Sequence, residues 1–154
     1  MSLRKRRLAR KMRISDHFIL DELTCRCSCG QATIDVGLLR MVENFRRYLN
    51  ENYRTKDMLA KGLSFKFKVL SGNRCSGYNA REGGSKGSYH LYKERGDGKV
   101  HGAMDITVPK MSTRKLHRIA KRLWKSNDII LGGLGLYPWG VHIDSGPYRK
   151  WREK

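Results

Sequence analysis

Apolar positions first recur at helical spacing after Asp35. Leu38, Val42, Phe45 and Leu49 fall on one face, and Asp35 stands where a capping residue belongs. This predicts a helix to about Asn50, followed by a polar loop over Glu51–Gly62. Over Ser64–Ser71 the period changes to two: Phe65, Phe67 and Val69 alternate with Lys66 and Lys68, the mark of a half-buried strand. Gly72–Gly102 holds eight glycines and many polar residues and reads mostly as loop. A connection of that length inside a compact domain is seldom idle. Ala103–Val108 predicts a short strand. Ser112 predicts the cap of a second helix to about Lys125, with Leu116, Ile119, Ala120 and Leu123 inward. Ile129–Leu136 and Gly140–Asp144 predict two strands joined by a turn at Tyr137–Trp139. The fold class expected is α+β, helices packed on a small, largely antiparallel sheet.

The chain has 154 residues, 39% of them apolar, which supports one modest core. No apolar run approaches the ~20 residues of a membrane span. A formal charge of +19 calls for an anionic partner: nucleic acid, anionic lipid or a polyanionic wall polymer. Met1–Arg13 carries seven basic residues and no acid. No apolar stretch of a secretory signal follows it, so synthesis in the cytoplasm without a signal peptide is expected. Residues 1–14 read as a basic arm and 15–154 as the folded domain, and a short basic chain is expected to be a monomer.

Three of the four cysteines alternate in Cys25, Cys27 and Cys29, and Cys75 lies far off. Alternation puts the three on one side if the segment is extended. Four thiolates suffice for a structural zinc, although C-x-C-x-C is not the usual knuckle spacing. Disulfides and plain buried thiols are the competing readings.

Five histidines separate by position. His17 and His117 read as surface or capping residues. His90, His101 and His142 lie in or beside the Gly-rich loop and the last strands. With period two, His142 and Asp144 share one strand face, while Val141 and Ile143 point into the core. Asp105 is placed alike on a neighbouring strand, with Met104 and Ile106 opposite. Two polar strand positions thus converge with a loop imidazole. Two neutral imidazoles and a carboxylate suit Zn²⁺ with a fourth position left for water, the equipment of metal-assisted amide hydrolysis.

Ser71–Asn79 (SGNRCSGYN), Gly83–Leu91 (GGSKGSYHL), Gly102–Ile106 (GAMDI) and Gly132–Trp151 follow one another in that order. With Phe18–Gly30 (FILDELTCRCSCG) they resemble the zinc D-Ala-D-Ala carboxypeptidase family. That family includes murein endopeptidases and phage lysis enzymes and has the hedgehog/DD-peptidase fold. The resemblance implies one catalytic zinc held by His90, Asp105 and His142. It implies a substrate-binding Arg74 from the S-G-x-R element, with Ser88 flanking the first ligand in S-x-H. A longer stretch than the family's, Leu91–Met104, separates His90 from Asp105. It reads as an inserted hairpin tip, and it brings in His101 as a rival ligand or a rim residue. Asp144 is the only acid between Ile129 and Tyr148. It is expected either to accept the proton of the attacking water or to orient a ligand from behind. Tyr137 is a candidate for the oxyanion. Trp139, Tyr148 and Trp151 read as packing.

The function expected is hydrolysis of amide bonds in peptidoglycan stem peptides or crosslinks. The enzyme would be of phage type, reaching the wall through a holin-type pore or as part of a virion. The competing reading is a catalytically silent basic protein of the same fold, binding nucleic acid or wall polymer or serving as a virion component.

Overall fold

A computed structural model describes residues 11–152. Most of the basic arm, residues 1–10, lies outside them. Its described end is tied down: Arg13 bridges Ile19, and Leu20 N donates to Met12 O at 2.8 Å.

The chain order begins with a single turn of helix, α1 (Leu20–Leu23), then the long α2 (Val36–Asn52) and the short α3 (Lys56–Ala60). Strand β1 (Lys68–Ser71) and helix α4 (Ser76–Arg81) follow, then the two-residue strands β2 (Lys93–Glu94) and β3 (Val100–His101). Next come β4 (Ala103–Thr107), helix α5 (Thr113–Lys125), β5 (Gly133–Leu136), β6 (Val141–Asp144) and β7 (Arg149–Arg152).

Both long helices start where their caps predicted. Asp35 Oδ1 accepts from Leu38 N at 3.0 Å, and Ser112 Oγ from Lys115 N at 3.2 Å. Thr55 does the same for Met58 N at 3.1 Å, which turns part of the expected loop 51–62 into α3. The expected strand 64–71 is paired only from Lys68. Phe65 and Phe67 are buried ahead of the strand, and Asn50 brackets Phe65 by accepting from its N and donating to its O. The Gly-rich stretch contains α4 and the β2–β3 hairpin, the latter being the inserted tip.

Five strands form one sheet in the order β1-β4-β6-β5-β7. All pairs are antiparallel except β5 with β7, a parallel edge strand that the alternation in the tail did not announce. Met104 faces Ile143, which faces Leu134; all three are fully buried and join the core cluster. Leu38, Val42, Phe45 and Leu49 of α2 join the same cluster, as do Leu116, Ile119, Ala120 and Leu123 of α5. Burying each of the larger of these side chains contributes roughly 1.5–3 kcal/mol. This α+β sandwich leaves the other sheet face to the polar row Ser71, Asp105, His142, Gly135 and Trp151, which runs across all five strands in register.

Residues 25–29 do not extend as the alternation suggested. Cys29 N bonds Cys27 Sγ and Gln31 N bonds Cys29 Sγ, both at 3.4 Å, and these two-residue turns curl the segment. The sulfurs therefore converge by curvature rather than by pleat.

Candidate metal centre

The polar row puts Asp105 directly opposite His142 on paired strands, and their side chains meet at 2.8 Å between Oδ1 and Nδ1. His90 reaches the other carboxylate oxygen from the loop, its Nε2 lying 3.1 Å from Asp105 Oδ2. All three are buried, and one ligand atom from each lies within 4.8 Å of the others. His101 is elsewhere. Its Nε2 meets Asp97 at 2.7 Å and its Nδ1 meets Ser145, so of the two loop imidazoles the fold brings His90 to the cluster.

Each imidazole is oriented through its other nitrogen. Gly72 O can only accept, so His90 Nδ1 carries a proton into that 2.7 Å bond and leaves Nε2 as a donor atom. Asp144 Oδ2 receives His142 Nε2 at 2.9 Å and leaves Nδ1 facing Asp105. Imidazoles fixed from behind by a carbonyl and by a carboxylate are what a histidine-bound zinc uses, and two nitrogens with one carboxylate oxygen match its preferred donors. The residues present fit the metal.

Asp144 is fully buried and crowded with donors. Besides His142 it receives Gly133 N at 3.2 Å, Gly146 N at 2.8 Å and both Arg149 Nη atoms at 2.9 Å. Sequence reasoning passed over Arg149 and the glycines that make this possible. A Cβ on Gly133 would lie 2.3 Å from Asp144 Oδ2 and 2.5 Å from Arg149 Nη1. One on Gly135 would lie 2.6 Å from the Trp151 ring, which folds across the strand to within 4.9 Å of the His142 ring centroid. The alternate glycines of Gly133-Leu134-Gly135 were the available signal. On a strand they clear every second position of one face.

Electrostatics follow the contacts. Burial pushes the Asp105 carboxyl up, but the imidazoles of His142 and His90 outweigh it and hold the group well below the usual carboxylate range. Burial disfavours a charged His142, yet hydrogen bonds to Asp105 and Asp144 leave it raised. Asp144 is lowered: burial opposes this, and His142 and Arg149 prevail.

The cluster opens into a cleft of about 730 Å³, walled in part by Arg74, Tyr78, Glu82, Tyr89, Tyr137 and Trp139. Arg74 bonds Ser71 Oγ through Nε at 2.9 Å, and its Nη2 lies 3.4 Å from Asp105 Oδ2. Its guanidinium thus stands beside the donor set. Ser88 Oγ accepts from His90 N at 3.2 Å and shapes the loop that carries this imidazole. Tyr137 stacks on the half-exposed Trp139 and accepts from Trp151 Nε1 at 3.1 Å. Tyr148 stacks on Trp124, away from the cleft lining.

The family model described as peptidase M15 matches residues 16–144. The chain belongs to the peptidase M15 family. No curated protein and no solved structure matches it. The M15 match agrees with the motif resemblance and with the observed α+β fold, and it makes the chain a metallopeptidase of the zinc D-Ala-D-Ala carboxypeptidase family. The matched span contains the whole His90–Asp105–His142 cluster, while Arg149 and Trp151, which brace this M15 domain from β7, lie beyond it. No helix among the described residues is long and apolar enough to cross a membrane.

Proposed function

We propose that the protein cleaves amide bonds in peptidoglycan, with His90, Asp105 and His142 as zinc ligands and Arg74 as the residue that grips the substrate. The observation that carries this reading is the buried two-imidazole, one-carboxylate donor set at an open cleft with a guanidinium beside it. Zinc held there supplies Lewis-acid polarisation of a carbonyl and a water of lowered pKa.

The chain's own residues do the rest. Gly72 O and Asp144 fix the tautomers of His90 and His142, so the donor nitrogens are preorganised. Asp144, with five donors on two oxygens and no exposure, acts through His142 rather than as the proton acceptor. Arg74 presents a planar fork to a carboxylate of the stem peptide, and Tyr137 offers a polar edge to the cleft. The charge of +19 favours encounter with a wall rich in carboxylates and phosphates, an effect that salt weakens. A phage lysin, freed through a partner pore or carried on a virion, is the biological setting we assign; fractionation of purified particles separates the two routes.

The test is mass spectrometry of purified murein digested with wild type and with His142→Ala. Wild type releases muropeptide fragments whose masses identify the bond, a chelator stops release and added zinc restores it. His142→Ala releases none at any zinc concentration. Intact murein after incubation with zinc-loaded wild type would overturn the assignment in favour of a basic binding protein.

A further inference from the structure

Away from the cleft, Cys25, Cys27, Cys29 and Cys75 bring their four sulfurs within 4.8 Å of one another. Cys25 and Cys27 Sγ are 3.4 Å apart, and Cys27 and Cys75 Sγ 3.5 Å. A tetrahedron of sulfurs at the ordinary zinc–thiolate length of ~2.3 Å has edges of about 3.8 Å, so these separations enclose a space of that size. All four cysteines are unpaired.

The backbone around them is arranged for negative sulfur. Each Sγ accepts an N–H: Cys25 from Cys75 N at 3.3 Å, Cys27 from Cys29 N, Cys29 from Gln31 N and Cys75 from Tyr78 N, each at 3.4 Å. Four independent amide donors, one for each sulfur, are more than packing needs and suit a set of thiolates. We infer that these four cysteines bind a second, structural zinc ion, distinct from the one at the cleft.

The position gives the ion something to do. The loop 25–31 is closed by Cys25 N to Gln31 O at 2.8 Å, and Asn73 N fastens the neighbouring chain to Leu23 O at 2.9 Å. Between that fastening and Cys75 lies Arg74, whose N donates to His90 O at 2.7 Å, while Gly72 O holds the His90 ring. A four-thiolate clamp therefore pins one end of the segment that aims Arg74 and His90.

The experiment is zinc content by elemental analysis of the purified full chain, of His142→Ala and of Cys27→Ser. Wild type carries two zinc ions per chain. His142→Ala, with every cysteine intact, keeps one. Cys27→Ser drops to one. Cobalt substituted into His142→Ala shows intense thiolate-to-metal charge-transfer absorption and the visible bands of a tetrahedral sulfur site. Zinc-free His142→Ala, four thiols reacting freely in the native protein, or a mass showing the cysteines oxidised in pairs would each overturn the inference. The His142→Ala measurements stand even if Cys27→Ser does not fold. They also stand apart from murein cleavage, because a protein inert on murein can still hold the sulfur-bound ion.

Discussion

Asp144 receives His142 Nε2 at 2.9 Å, and Arg149 grips the same carboxylate through both of its terminal nitrogens at 2.9 Å. The relay crosses the sheet from β7, over Gly133 of β5, to β6 and the donor set shared with β4. β7 delivers Arg149 opposite Gly133 and Trp151 opposite Gly135, so one strand braces His142 from behind and from the side. Arg149 and Arg95 both lie over the Tyr89 ring, at 4.6 and 4.0 Å from its centroid, next to His90 in sequence. Cationic and aromatic packing thus backs His142 and fills the surroundings of the residue that precedes His90.

Removing that brace should show first in metal affinity. Asp144→Asn and Arg149→Met each weaken zinc binding at the cleft by about 10–100-fold, the usual cost of losing a ligand's orienting partner. Arg149→Met also destabilises the fold by ~1–2 kcal/mol, because a buried carboxylate loses two of its donors. The double variant is less impaired than the product of the singles, since both act on one relay. Competition against a chelator of known affinity, with urea unfolding alongside, measures all three. Fully additive losses would place the two residues in separate roles.

Gly135 has a steric rather than a conformational reason to be glycine. Its left-handed freedom is not used; the space above it is filled by Trp151 at 2.6 Å from where a Cβ would stand. Gly135→Ala pushes the indole off His142, with a cost of ~1–3 kcal/mol from overpacking. The bond from Trp151 Nε1 to Tyr137 goes with it. A shift in tryptophan emission together with reduced activity is the expected result, and the pair Gly135→Ala with Trp151→Leu recovers most of the stability.

Periodicity carried much of this structure. Asp35 and Ser112 announced their helices because a capping side chain and an apolar face lie within a few residues of one another. Asp105, His142 and Asp144 were legible as one polar face because a strand repeats every two residues. What escaped was set by longer-range contact. Arg149 and Trp151 sit in a basic tail with no strong alternation, and β7 exists because it pairs with β5. Asp144 carried two expected roles, and only the positions of Gly133, Gly146 and Arg149 favour the orienting one. The S-x-H element already pointed to His90 over His101, and the fold agrees with it, since Asp97 and Ser145 claim His101.

Arg74 should govern affinity for the anionic end of the substrate. Arg74→Ala raises KM by about tenfold for a stem peptide with a free carboxylate, the equivalent of ~1.5 kcal/mol for a lost charge-assisted bond. kcat falls less. The same peptide with its terminus amidated binds wild type weakly and Arg74→Ala no worse, so the acid-to-amide ratio of KM collapses toward unity in the variant. Arg74→Lys keeps the charge without the planar fork and recovers only part of the ratio. An unchanged ratio would assign carboxylate recognition elsewhere in the cleft.

Far from the cleft, Glu43 fastens the segment before α1 to α2. Its Oε1 accepts from Ser15 Oγ at 2.6 Å and from His17 N at 2.8 Å, and its Oε2 meets His17 Nδ1 at 2.7 Å. Burial raises this carboxyl, yet the bonds from Ser15 and His17 outweigh it and the group titrates below its ordinary value. A carboxyl lowered by folding binds fewer protons in the native state, so its contribution is complete above the ordinary glutamate value near ~4.3 and is lost as pH falls through the lower native value. Glu43→Gln therefore destabilises by ~1 kcal/mol at pH 7. That difference shrinks steadily in acid, and the two unfolding curves merge below the native titration of Glu43. Urea unfolding of both proteins across the acid range measures it. A gap that stays constant with pH would mean that the carboxylate's charge plays no part in holding the segment.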